Sequence, residues 1–272
     1  KALPLNGYVF SHWAVKPAGA TVLGNVLSFT MPVQDVSVEA VFVANPFLSA
    51  TGQGNGFYGL LEPFGSTATG NSTVGWFTGT IVPTTGGFSG RLVIGGVTTP
   101  VLGTFYGNGS MLYTTGTTKS STLSVGGRSV AMSYGAGGIT VELSESGSTV
   151  VSGLVKRSFY SSTNKVPSTM LNRKLTARAV ANNQGVFTVA LPAKAQTPVK
   201  DVTTYPQGDG LATVTLSDLG VVTMIGTLSD GSTLISSSGL VSSGGFPLYA
   251  QLTTPGAAVT VKGGSFSGEL TV

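Results

Sequence analysis

Apolar and polar positions alternate over short stretches along nearly the whole chain. In VSVEAVF (36–42), Val36, Val38, Ala40 and Phe42 fall on one side of an extended backbone, with Ser37, Glu39 and Val41 on the other. ITVEL (139–143), VFTVAL (186–191), ATVTL (212–216) and VTVK (259–262) follow the same period and are rich in strand-favouring residues. NGS (108–110) and DGS (230–232) lie between such runs, where tight turns need positive φ. The pattern predicts an all-β protein built from antiparallel barrels or sandwiches. One segment departs from it: in STMLNRKLTARAVANN (168–183), Leu171, Leu175 and Ala179 recur every four residues and predict a single helix.

Strand-like blocks recur in order. GFYGLLEP (56–63) is echoed by GVFTVALP (185–192), GWFTGTI (75–81) by GLATVTL (210–216), and GRLVIGG (90–96) by GTLSDGS (226–232). Preserved order with slightly drifting spacing is what a duplicated β-unit gives when loops vary and strands do not. The expected organisation is a distinct segment over 1–43, a linker over 44–55, and two related units over 56–160 and 161–272.

Composition narrows the class of role. Apolar residues make up 41% of the 272 residues and charged residues only 9%, with 40 glycines. So few charges, combined with ample apolar content, describe a hydroxyl-rich folded surface instead of a disordered chain. No apolar run approaches the roughly 18 residues of a membrane span, so none is expected. Cysteine is absent, which removes disulfides, thiolate catalysis and Cys-based zinc sites. The chain begins with Lys1 instead of Met, as a processed or trimmed product would.

The opening residues carry a resemblance. GYVFSHW followed by LSFTMPVQDVSVEAVF, through Gly7, Phe10, Trp13, Thr30, Met31, Pro32, Asp35, Val36, Val38, Ala40 and Phe42, resembles the back half of the divergent B-repeat first described in internalins. That resemblance implies a truncated, β-grasp-like module of a bacterial surface protein. A whole repeat opens with a further pair of strands, so a sheet lacking its front strands is expected. The stretches GWFTGTI…GGFSGRLVIGG (75–96) and GDGLATVTL…GTLSDGST…GFPLYAQL…GGSFSGEL (208–270) resemble glycine-rich β-repeats of large secreted verrucomicrobial and planctomycete-type proteins, with Phe246 where Trp is usual. This second resemblance implies an extracellular scaffold or adhesive role and brings no catalytic residues.

Candidate chemistry is sparse. His12 is the only histidine, so a nucleophile–base–acid triad has one candidate base, without evident partners. The repeat pattern makes Phe10 and Trp13 core residues, which strict alternation forbids unless a bulge lies between them. Phe42 and Trp76 complete the expected structural core, with Phe57, Tyr58 and Tyr106 as further aromatics able to form a sugar platform if exposed. Asp209 and Asp230 read as turn residues first; no calcium-loop cluster or phosphate loop is present, and no cofactor is expected.

Charge is the sharpest local signal. Eight of the fourteen basic residues (Lys156, Arg157, Lys165, Arg173, Lys174, Arg178, Lys194 and Lys200) fall between Glu145 and Asp201, where there is no acid. Such a segment is a solvated insertion or a docking surface for an anionic glycan or another subunit; nucleic acid is not favoured, because aromatics are not interleaved. The expectation is a non-enzymatic extracellular or cell-surface structural protein that self-associates or binds other surface proteins, in the extreme as a filament subunit joined by strand addition. A carbohydrate-binding adhesin module and an accessory domain of a secreted polysaccharide-degrading enzyme are the alternatives.

Overall fold

A computed structural model describes residues 1–49, 52–68, 70–171, 184–192, 208–253 and 262–272. The fold is nearly all β, in antiparallel sheets. The N-terminal segment contains β1 (Tyr8–Val15), β2 (Thr21–Leu23), β3 (Val26–Ser28) and β4 (Glu39–Ala44); β1 pairs with β4, and β2 with β3. The strand anticipated from Val36 begins only at Glu39, and Val38 is exposed. Pro32 lies ahead of it, and an exposed apolar side chain has no burial to hold it in a sheet.

Residues 56–157 form a nearly closed ten-stranded sheet. Six strands run as a meander: β5 (Gly56–Pro63), β6 (Gly75–Ile81), β7 (Gly87–Ile94), β8 (Val97–Phe105), β9 (Met111–Thr115) and β10 (Thr118–Ser120). Four more come next, β11 (Leu123–Val125), β12 (Arg128–Gly135), β13 (Gly138–Glu145) and β14 (Ser148–Arg157), and β14 returns to pair with β5. At the opposite seam a bridge joins Ser110 to Ser133, and the Tyr113 hydroxyl donates to the Val130 carbonyl at 3.1 Å. Alternate side chains point inward, giving a core that includes Phe57, Leu61, Phe77, Ile81, Phe88, Leu92, Val101, Phe105, Ile139, Val141, Leu143, Val151 and Val155. Closure leaves few free edges.

The interior is fitted around its aromatic rings. Phe77 stacks on Phe88 with centroids 5.8 Å apart, and Phe88 meets Phe105 edge-on at 5.4 Å. Gly79 and Gly90 face each other across β6 and β7, and a Cβ on Gly79 would lie 2.3 Å from the Phe88 Cζ. These glycines make room for the ring.

Residues 44–49, anticipated as part of a linker, plug one end of the barrel. Asn45 Nδ2 donates to the Pro83 carbonyl at 2.8 Å, while its Oδ1 accepts from the Phe47 amide at 2.9 Å. Phe47 is wholly buried against Tyr134, with centroids 5.0 Å apart.

The C-terminal unit has a short helix, α1 (Ser168–Leu171), then β15 (Gly185–Leu191), β16 (Gly210–Leu216), β17 (Val221–Thr227), β18 (Thr233–Gly239), β19 (Gly245–Thr253) and β20 (Lys262–Thr271). The rest of the anticipated helix over 168–183, and Val259–Val261 of the strand anticipated at 259–262, lie outside the described residues. β15–β18 form one sheet and β19–β20 a hairpin, linked where Ser236 Oγ donates to the Tyr249 carbonyl at 2.7 Å. A second core gathers Leu171, Val214, Leu216, Val222, Met224, Leu234, Phe246 and Leu248.

The first four strands of both units form antiparallel meanders. Phe57, Gly59 and Leu61 face Gly79, Phe77 and Gly75; Phe187, Val189 and Leu191 face Val214, Ala212 and Gly210. Gly79 and Ile81 face Gly90 and Phe88, as Val214 and Leu216 face Met224 and Val222. Gly90 and Phe88 face Val101 and Gly103, as Met224 and Val222 face Ser236 and Ser238. Phe57 and Phe187 both lie on inward rows, whereas the sequence echo sets Phe57 against Val186, on the opposite face of β15 from Phe187.

Candidate functional site

Of the basic segment, Lys156, Arg157 and Lys165 are described, and the three are placed differently. β14 carries Val151, Val155 and Arg157 on its inward row, so Arg157 enters the barrel end while neighbouring Lys156 is exposed. Lys165 lies apart, paired with Asp218 at 2.8 Å. Arg173, Lys174, Arg178, Lys194 and Lys200 lie outside the described residues.

Arg157 is only 9% exposed. Its Nη2 donates to the Phe47 carbonyl at 2.7 Å, and its guanidinium carbon sits 5.2 Å from the centre of the Phe57 ring. Its Nε is buried with no hydrogen-bond partner. Among the described residues the ion pairs are Arg128–Glu145 and Lys165–Asp218, and neither involves Arg157. Burial lowers its pKa from the ordinary arginine value, with a smaller opposing contribution from Tyr134; an arginine nonetheless stays cationic in a protein.

A pocket of about 590 Å³ opens beside this side chain, lined by Gln53, Phe57, Asn108, Tyr134, Lys156 and Arg157, among others. Two backbone segments wall it, the 107–109 loop and the turn between β12 and β13. The loop is anchored: Gly109 N donates to the Tyr106 carbonyl, and Tyr134 N donates to the Gly109 carbonyl, each at 2.8 Å. Gly109 has φ +85°, and a Cβ there would lie 2.5 Å from the Tyr134 carbonyl. Sequence reasoning missed Phe47, Gln53, Asn108 and Tyr134. The available signal was parity: in VVSGLVKR (150–157) an arginine continues an inward apolar row.

The other candidates fall elsewhere. Ser11 is the extra residue of a bulge, since Phe10 faces Phe42 while His12 faces Val41. The bulge brings Phe10 and Trp13 to the same side, with centroids 5.5 Å apart. Phe10 is buried, Trp13 and Phe42 are half-buried, and Trp13 Nε1 donates to the Gly24 carbonyl at 3.1 Å. His12 is exposed beside Ser11 Oγ at 3.0 Å. Among the described residues no three His, Asp or Glu side chains are placed to hold a metal. Asp230 closes its turn by accepting from the Ser232 amide at 2.8 Å.

Trp76 and Phe57 are buried; half-buried Tyr58 lies tilted against Trp76 and half-buried Tyr106 meets Phe10 edge-on, so these four make no exposed sugar platform. Among the described residues of the C-terminal unit β15 pairs only with β16, and β20 only with β19. A crevice of about 400 Å³ lies where β15 faces the end of β20, lined by Met170, Phe187, Val189 and Val272 among others.

Among the described residues no helix is long and apolar enough to cross a membrane. No curated protein and no solved structure matches the chain. Residues 1–46 match the family described as the divergent InlB B-repeat domain. That match suggests a surface or extracellular repeat protein.

Proposed function

We propose that this chain is a non-enzymatic structural segment of an extracellular or cell-surface protein, joined to other chains by strand addition at the open seam of its C-terminal unit. The observation that carries the reading is the contrast between the two units. Each begins with a four-stranded antiparallel meander, yet β14 returns to β5 in the first while, among the described residues, β15 and β20 have no partner along their outer edges. An unpaired edge presents a row of backbone donors and acceptors that an extended segment satisfies. The half-buried Phe187, Val189 and Leu270 beside the crevice supply pockets for alternate side chains of an added strand. A contact of an edge with a different segment of the next copy is heterologous and propagates. Division into units 1–43, 56–160 and 161–272 belongs to this proposal, with Phe47 tying the intervening stretch to the barrel.

The test is light scattering and electron microscopy over a concentration series, with hydrogen exchange on β15 and β20. Concentration-dependent assembly that protects those two strands, and is abolished by Val189→Lys, supports the reading. Monodisperse monomers at millimolar concentration overturn it, as does assembly that leaves β15 and β20 unprotected.

A further inference from the structure

We infer that the pocket beside Arg157 binds the carboxylate of an acidic sugar, a uronate residue of an anionic polysaccharide. This inference is independent of the strand-addition reading, since none of the pocket's lining residues lies on β15 or β20 and Val241 is the one that comes from the C-terminal unit.

A buried guanidinium with no counter-ion is unfavourable, and one carbonyl and one ring face offset only part of that cost. Arg157 has those two partners alone, and its Nε has none. An anion entering the pocket supplies the missing charge in a site already largely desolvated, where the interaction is stronger than in bulk water. The planar fork of a guanidinium matches a planar carboxylate. Lys156 at the same pocket adds a second positive charge.

The remaining lining suits a hydroxylated ring. The volume of about 590 Å³ falls within the range of small-molecule sites. Asn108 Oδ1 already accepts from the Ser110 amide at 3.0 Å and from its hydroxyl at 2.7 Å, which leaves Nδ2 to donate to a ligand. Gln53 has no intramolecular hydrogen bond among the described residues, and so offers both a donor and an acceptor. An acidic peptide is the poorer fit. It would dock by pairing its backbone with a free edge, but Gly109 N and O at the pocket wall are already engaged by Tyr106 and Tyr134.

Calorimetric titration of the full chain with trigalacturonate, a glucuronate disaccharide and an alginate trimer tests this, against neutral galactotriose and a tri-aspartate peptide. At least one acidic sugar should bind, more weakly as salt rises, while galactotriose and the peptide do not. Arg157→Lys should weaken binding roughly tenfold or more, the scale expected when a charged hydrogen-bonding partner is lost. Asn108→Asp keeps the turn, because Asp caps it in the same way, and sets a like charge at the pocket; it too should weaken binding about tenfold. Failure of all three acidic sugars overturns the inference, as does equal binding of galactotriose, tighter binding of tri-aspartate, or wild-type affinity in Asn108→Asp.

Discussion

Phe47→Ala separates a tether from a plug. If residues 44–55 were only a linker, truncating a side chain there would change stability by no more than about 0.5 kcal/mol, as at ordinary surface positions. Phe47 instead has no exposed surface and packs edge-on against Tyr134 at 5.0 Å. Removing a buried phenyl ring costs about 3–5 kcal/mol through lost burial and the cavity left behind. The aromatic pair contributes a further ~0.5–1.5 kcal/mol within that range. For a unit of about 100 residues each kcal/mol lowers Tm by about 4–8 °C, so the barrel transition should fall by at least roughly 12 °C. The assay is urea and thermal unfolding tracked by near-ultraviolet dichroism, which reports the tyrosines around the plug. Hydrogen exchange in β5 and β14 should rise with it, because Arg157 loses the seating of its carbonyl acceptor. A Tm within 1 °C of wild type, with unchanged exchange in β14, would refute the reasoning.

The same packing has other consequences. Gly79→Val drives a side chain into Phe88 and should destabilise the barrel by about 1–3 kcal/mol, read as a lower urea midpoint. Burial pushes the Tyr113 hydroxyl up to about 12, so the unfolded chain, ionising near 10, releases its proton first as pH rises. Stability should therefore be insensitive to Tyr113 below pH ~10 and fall by about 2–3 kcal/mol as pH rises toward ~12, a slope that Tyr113→Phe removes. Asp218→Asn breaks the largely exposed ion pair with Lys165 and should cost under ~1 kcal/mol, with the difference vanishing in high salt.

Much of the fold was legible because alternation reports burial directly. ITVEL, VFTVAL and ATVTL lie in β13, β15 and β16, and the NGS and DGS turns fall between strands. The conflict between strict alternation and a core containing both Phe10 and Trp13 required a bulge, and Ser11 supplies it. What alternation cannot show is which edge a strand finds. VSVEAVF has the right period from Val36, yet only its C-terminal part, from Glu39, pairs with β1, because pairing depends on a partner remote in sequence. Charge clustering along the chain likewise does not show how each side chain is placed. Adjacent Lys156 and Arg157 take opposite faces of β14, and Lys165 is bound to Asp218. Composition suggested one docking surface, whereas strand parity singled out one buried cation.

The two units also show how the strands added after a meander shape its edges. A four-stranded meander always leaves two free edges, and the strands added after it decide their fate. After β8 come six strands, the last of which reaches β5, and the seam between the short end strands β10 and β11 is spanned by the Ser110–Ser133 bridge. After β18 come two described strands, and the described sheet stops short of β15. Backbone pairing along β15 and β20 is therefore the interaction proposed for the C-terminal unit. What the barrel retains is side-chain chemistry, concentrated where Phe47 closes its end and leaves Arg157 beneath a pocket without an acid. The proposed strand-edge association and the proposed anion site thus rest on different residues, so Val189→Lys should leave uronate binding intact and Arg157→Lys should leave assembly intact.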